Sequence, residues 1–149
     1  AICDRVVVMR KGEIQQYSTP LEMVSNPSND FVGQFVLQRN ILPIQYINQS
    51  YSTCIGKLSI SLDKSISINS VCMFDKKSIY IEQDINGLFT IISREYRISC
   101  YIYTVIIDSQ KFCVEMGLEA NLCIGDKCNV RYISGNEFLI LPERIKSNF

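Results

Sequence analysis

The sequence predicts a mainly β fold: a small β-barrel or sandwich preceded by a short β-hairpin and two short helices. Three observations lead there. The 149 residues are 47% hydrophobic and 20% charged, enough to bury a core. From about Leu37 onward, short β-branched and aromatic runs alternate with polar connections, the pattern of a compact all-β domain. Residues 1–36 differ, because they carry a glycine turn and helix-start chemistry.

Asp4-Arg5-Val6-Val7-Val8-Met9 reads as a buried strand, and Arg10-Lys11-Gly12-Glu13 as a turn into a second arm, Ile14–Tyr17. Thr19 can cap a helix, Pro20 suits its first position, and Glu22 completes a capping box. Asn26-Pro27 stops that helix. Ser28-Asn29 offers caps for a second one, Asp30 to Val36, with Phe31, Val32, Phe35 and Val36 on one apolar face. The strand candidates that follow are Ile41–Ile47, Thr53–Leu62, Val71–Phe74, Ser78–Gln83, Leu88–Arg94, Ile98–Ile107, Lys111–Met116, Lys127–Ile133 and Glu137–Leu141. Both faces of Ile98–Ile107 are apolar, which predicts a strand covered on both sides or placed at an interface. Asn86-Gly87 is expected to turn the chain between Ser78–Gln83 and Leu88–Arg94, and Asp108-Ser109 is an expected hairpin turn into Lys111–Met116.

Composition excludes several classes of function. Fifteen Lys+Arg balance fifteen Asp+Glu, so the cationic excess that nucleic-acid binding requires is missing. There is no His, which removes Ser-His-Asp and Cys-His catalysis and His-ligated zinc. No catalytic, cofactor-binding or metal-binding residue is therefore assigned. The seven cysteines are odd in number and show no C-x-x-C spacing, so they read as buried reduced thiols. Cys123 and Cys128 make at most a weak metal or redox pair. No window is long and apolar enough for a membrane helix, and there is no signal peptide. The first residue is Ala, which fits a fragment of a longer protein.

Two stretches resemble a known family. Asp4-Arg5-Val6-Val7-Val8-Met9-Arg10-Lys11-Gly12-Glu13-Ile14-Gln15-Gln16, then Thr19-Pro20, Glu22, Asn26-Pro27, Phe31-Val32 and Phe35 resemble the C-terminal end of the ATP-binding subunit of ABC importers. Ser93-Arg94-Glu95-Tyr96, Tyr101-x-Tyr103-x-Val105, Ile124-Gly125-Asp126-Lys127-Cys128-x-Val130 and Leu139-x-Leu141-Pro142 look like the TOBE domain, the OB-like regulatory domain that follows that ATPase. Arg97-Ile98 stands where that family often has a Leu-Gly-like pair. Asn40-Ile41-Leu42-Pro43 looks like the junction in ferric-iron-type subunits.

The resemblance implies residues 1–36 as the incomplete end of an ATPase domain and residues 37–149 as an OB-like TOBE barrel. It implies a regulatory and dimerising role in importing an inorganic ion, with ferric iron ahead of sulfate, molybdate or polyamine. ATP and Mg²⁺ would serve the complete parent subunit. This chain lacks the phosphate-binding loop, the signature motif and the switch His, so by itself it should not hydrolyse ATP. The implied partners are a second copy, the transmembrane permease subunits and the transported ion as a regulatory ligand. The implied place is the cytoplasmic face of the membrane, as a peripheral subunit. Arg94, Glu95, Tyr101 and Tyr103 are the candidate regulatory or interface residues, although Arg94-Glu95 also reads as a strand-end ion pair and the tyrosines as two-sided core. Asp75-Lys76-Lys77 reads as a solvated turn. Tyr80, Glu82 and Asp84 share a strand face and carry oxygen donors for a hard cation. The competing reading is a stand-alone TOBE module that binds a small oxyanion.

Overall fold

The computed structural model describes residues 3–60, 66, 69–107, 109–135 and 138–142. Strands β1 (Val6–Arg10) and β2 (Glu13–Ser18) form the expected hairpin. Its central residues Lys11 and Gly12 have φ of 51° and 80°. Two left-handed residues in a two-residue loop match the twist of the strands, which is why a glycine follows the lysine. Helix α1 (Pro20–Ser25) carries the full capping box. The Thr19 hydroxyl accepts from the Glu22 amide at 3.2 Å, and the Thr19 amide donates to the Glu22 carboxylate at 2.9 Å. The Thr19 amide, and then the Thr19 hydroxyl, donate to the Glu22 carboxylate and hold its carboxyl below its ordinary pKa.

The second helix, α2 (Val32–Val36), is preceded by Asn29, whose Oδ1 accepts from the Val32 amide at 3.0 Å. The turn is wider than an α-turn, because the Leu37 amide donates to the Val32 carbonyl five residues back. The expected apolar face forms in part: Phe31 and Phe35 stack with ring centres 5.0 Å apart and Val32 is enclosed, but Phe35 and Val36 stay exposed. Val8, Met23 and Val32 make a small core, with Val6 and Phe31 against it.

The rest is mainly β, as expected, in three further antiparallel sheets. One contains β3 (Asn40–Pro43), β7 (Ser70–Phe74) and β13 (Leu139–Pro142), with β7 central. A small meander contains β4 (Gln45–Ile47), β5 (Ser50–Thr53) and β6 (Gly56–Lys57). The largest runs in the order β11 (Gln110–Gly117), β10 (Cys100–Ile107), β9 (Phe89–Arg97), β12 (Lys127–Tyr132), β8 (Ile79–Gln83). Leu42, Phe74, Phe89, Tyr103, Val105 and Phe112 anchor their shared core.

Several strand boundaries differ from the sequence reading. Ile41–Ile47 is split at Ile44, whose amide donates to the Ser70 carbonyl, so its two halves enter different sheets. Thr53 ends β5 rather than opening a long strand, and Cys54-Ile55 turns the chain into β6. Ile98 and Ser99 are a hairpin turn, since Cys100 pairs with Arg97. Ile98 is therefore 92% exposed at a hairpin tip rather than inside a strand. Leu62, Asp108 and Glu137, named in expected elements, lie outside the described residues.

No closed barrel forms among the described residues. The outer strands β8 and β11 approach without ladder pairing. Met116 Sδ accepts from the Ile81 amide at 3.5 Å, and the Glu115 amide donates to the Lys76 carbonyl at 2.9 Å. Asn40 supplies a second side-chain bridge. Its Nδ2 donates to the Cys113 carbonyl at 2.7 Å and its Oδ1 accepts from the Cys113 amide at 2.8 Å. One amide thus stands in for a strand neighbour along β11.

Candidate functional site

The hairpin β1–β2 has two unlike faces. Val6 and Val8 turn towards Met23 and Val32. The opposite face carries Val7, Met9, Ile14 and Tyr17, which are between 47% and 65% exposed. They form one surface because Val7 pairs with Tyr17 and Met9 with Ile14 across a bulge after Val8. Leu21 and Val24 of α1, which packs through Met23 under the other face, are exposed as well. A contiguous apolar sheet face of this kind marks an interaction surface.

The hairpin is held to α1 and α2 by glutamine side chains. Gln16 Oε1 accepts from the Ser28 amide at 2.8 Å, and its Nε2 donates to the Asn26 carbonyl at 3.1 Å. The Ser28 hydroxyl donates to the Gln15 carbonyl at 2.8 Å. The Gln16 and Asn26-Pro27 elements of the motif are therefore direct partners. Farther on, Gly33 lies against Met73 of β7, at a spot where an added Cβ would overlap the Met73 side chain. The absence of a side chain there lets α2 sit on the β7–β3 sheet.

The four named site residues lie on the β9–β10 hairpin. Arg94 donates to the Leu122 carbonyl at 3.1 Å, and its guanidinium sits 5.0 Å from the Tyr101 ring centre. Tyr101 also meets Tyr96 and Tyr103, with ring centres 5.8 and 5.9 Å apart. Tyr103 is wholly buried, and its hydroxyl donates to the Ala120 carbonyl. It fixes the loop that leads into β12. Glu95 does not pair with Arg94, because neighbours in a strand point to opposite faces. Its partner is Arg97, at 2.9 Å.

Other candidates resolve in different ways. Glu82 is bonded to Arg131 at 2.8 Å and Asp84 to Asn129 at 2.7 Å, so the acidic pair beside Tyr80 is already engaged. Among the described residues, no three His, Cys, Asp or Glu side chains gather to hold a metal. Cys72 and Cys128 are buried, and burial raises their thiol pKa to about 12 and about 11. Cys100 and Cys113 are half-buried and Cys3, Cys54 and Cys123 are exposed, so the reading as buried thiols holds in full only for Cys72 and Cys128. Asp75-Lys76-Lys77 is a turn, as expected, and Lys77 reaches Glu115 at 3.5 Å.

A concavity of about 460 Å³ opens beside β6 and β12. Lys57, Ser59, Ser78 and Ser134 line it, together with Phe74, Tyr132 and Phe138. Its lining thus combines one cation with serine hydroxyls and aromatic side chains. The sequence reading missed this grouping, because its members are scattered from residue 57 to residue 138. It also missed Met9, Ile14 and Tyr17, whose shared face depends on the bulge.

No family model matches the chain. Several curated proteins match partial stretches of it. A carnitine transport ATP-binding protein of Listeria monocytogenes is 32% identical over 80 residues, covering 51% of this chain and 20% of the relative. A Fe(3+) ions import ATP-binding protein of Streptomyces coelicolor is 31% identical over 97 residues, covering 65% of this chain and 28% of the relative. A spermidine/putrescine import ATP-binding protein of Mannheimia succiniciproducens is 44% identical over 46 residues, covering 31% of this chain and 12% of the relative. The matches thus span between about an eighth and just over a quarter of these relatives' own length. Over these partial stretches the chain is a homologue of ABC importer ATP-binding subunits, consistent with a C-terminal part of such a subunit.

Proposed function

We propose that this chain is the C-terminal regulatory and dimerisation portion of an ABC importer ATP-binding subunit for an inorganic ion, with ferric iron the first candidate. Residues 1–36 end the ATPase domain and residues 37–149 form the TOBE regulatory domain. The observation that carries the reading is the exposed apolar face of Val7, Met9, Ile14 and Tyr17, on the stretch whose motif resembles the end of the ATPase. An ATPase core packed there would remove that face from water. The Fe(3+) ions import relative supports the inorganic-ion class, whereas the carnitine and spermidine/putrescine relatives are named for organic solutes. ATP and Mg²⁺ act in the parent ATPase, and the permease subunits are reached through it, on the cytoplasmic side. Among the described residues no helix is long and apolar enough to cross a membrane.

The test is a chimera in which this chain replaces the corresponding segment of the Streptomyces coelicolor relative. The reading expects a soluble chimera that hydrolyses Mg-ATP, and loss of assembly in a Val7→Lys, Tyr17→Lys version. An equally well-assembled double variant would refute it. The concavity at Lys57 favours a second reading, a module that captures a small oxyanion. Calorimetric titration of the chain with molybdate and with sulfate separates the two: saturable binding abolished by Lys57→Met supports the second.

A further inference from the structure

After Ile91, β9 is bonded along one side only. β10 covers one edge as far as Arg97. On the other edge, β12 reaches Thr90, and the backbones of Asp126 and Gly125 reach Ile91. From Ile92 to Arg97 no strand among the described residues pairs with that second edge, and every residue there is exposed. Such an edge is a template for another strand. We propose that it pairs antiparallel with the same edge of a second copy, with Tyr96 on the two-fold axis.

The register follows from symmetry and charge. In a two-fold antiparallel ladder a residue lies opposite its own copy, because facing residues must share the same backbone orientation. Centring on Arg94 or Arg97 sets arginine against arginine, and centring on Glu95 sets glutamate against glutamate. Like charges directly opposite are destabilising. Centring on Ile92 or Ser93 draws in Ile91, whose amide and carbonyl are already bonded to Asp126 and Gly125. Tyr96 is the centre that avoids both faults. It places Glu95 opposite Arg97 of the second copy, twice, and stacks the two Tyr96 rings on the other face.

Within one copy Glu95 and Arg97 already pair, and both side chains are 60% exposed. They can exchange partners without entering a dry environment. The ladder is short, so association of the isolated chain is weak. It becomes effective where the subunit holds the two copies close together. The inference deepens the dimerisation part of the proposed function and rests on it for the identity of the occupant.

Sedimentation equilibrium of the 149-residue chain, at low salt and rising concentration, tests it with Glu95→Arg and Arg97→Glu. Circular dichroism first checks that both variants keep the fold. Wild type is expected to approach twice 17.1 kDa. Each variant alone sets like charges opposite each other twice, and should associate at least about tenfold more weakly. Mixing the two variants restores opposite charges at both positions and should restore association. A monomeric wild type, variants that associate like wild type, or a mixture no stronger than its parts would each overturn the proposal. Association through the Val7–Tyr17 face would ignore the charge exchange. An active chimera alongside a failed exchange would sink this edge and leave the importer reading standing.

Discussion

The Asn40 bridge gives a quantitative test of how β11 is held to β3. Asn40 is 6% exposed, and its amide satisfies both the N–H and the C=O of Cys113. Asn40→Ala removes both partners at once. A buried backbone group left unpaired costs about 1–3 kcal/mol. Cys113 is only half-buried, so water can reach part of the gap and the lower end applies to each group. The expected loss is about 2–3 kcal/mol in urea unfolding followed by circular dichroism. For a chain of this size that is a fall of roughly 5–10 °C in Tm. Asn40→Asp separates the two bonds, because it keeps the acceptor for the Cys113 amide but sets a carboxylate against the Cys113 carbonyl. It should still destabilise, while amide exchange at Cys113 stays slower than in Asn40→Ala. Asn40→Ala within about 0.5 kcal/mol of wild type, with unchanged Cys113 exchange, would refute the bridge.

Gly87→Ala should cost about 3 kcal/mol, because an added Cβ would overlap the rigid backbone of Cys128 in β12. Gly12→Ala meets only its strained φ of 80° and open space, so its loss in the same unfolding assay should be about 1 kcal/mol. Thr19→Ala breaks the capping box and should cost about 1 kcal/mol, read as faster amide exchange in α1. In native chain, Ellman's reagent should modify Cys3, Cys54 and Cys123 quickly and spare Cys72 and Cys128. Folding raises the pKa of the two buried thiols, so their linkage leaves stability constant below about pH 8.5, the unfolded value. Above that, stability should fall as pH rises towards their folded values of about 11 and about 12. A urea midpoint that held steady or rose between pH 9 and pH 11 would contradict this.

The elements legible in the sequence were those governed by local chemistry. Thr19, Pro20 and Glu22 specify a helix start through bonds made within four residues. Lys11-Gly12 and Asn86-Gly87 mark turns correctly, yet for different reasons. Gly12 supplies a left-handed backbone, whereas Gly87 supplies room beside Cys128. The alternation of Tyr101, Tyr103 and Val105 was also legible, but it could not say where the core ends. Tyr103 and Val105 are enclosed, while Arg94, Glu95 and Tyr96 project beyond the last covering strand. Strand breaks at Ile44 and Ile98 were hidden, because an apolar residue there looks like its neighbours.

The sequence by itself determined a mainly β chain with a capped helix after an N-terminal hairpin, and it carried the motif likeness to importer ATP-binding subunits. Those properties depend on residue type and near-neighbour spacing. Only the tertiary structure decided that, among the described residues, the sheets stop short of a closed barrel, that Asn40 bridges β11 to β3 while Met116 bridges β11 to β8, and that β9 keeps an open edge. Each depends on contacts between residues far apart in the chain, where side-chain volume and backbone pairing compete. No local pattern records the outcome.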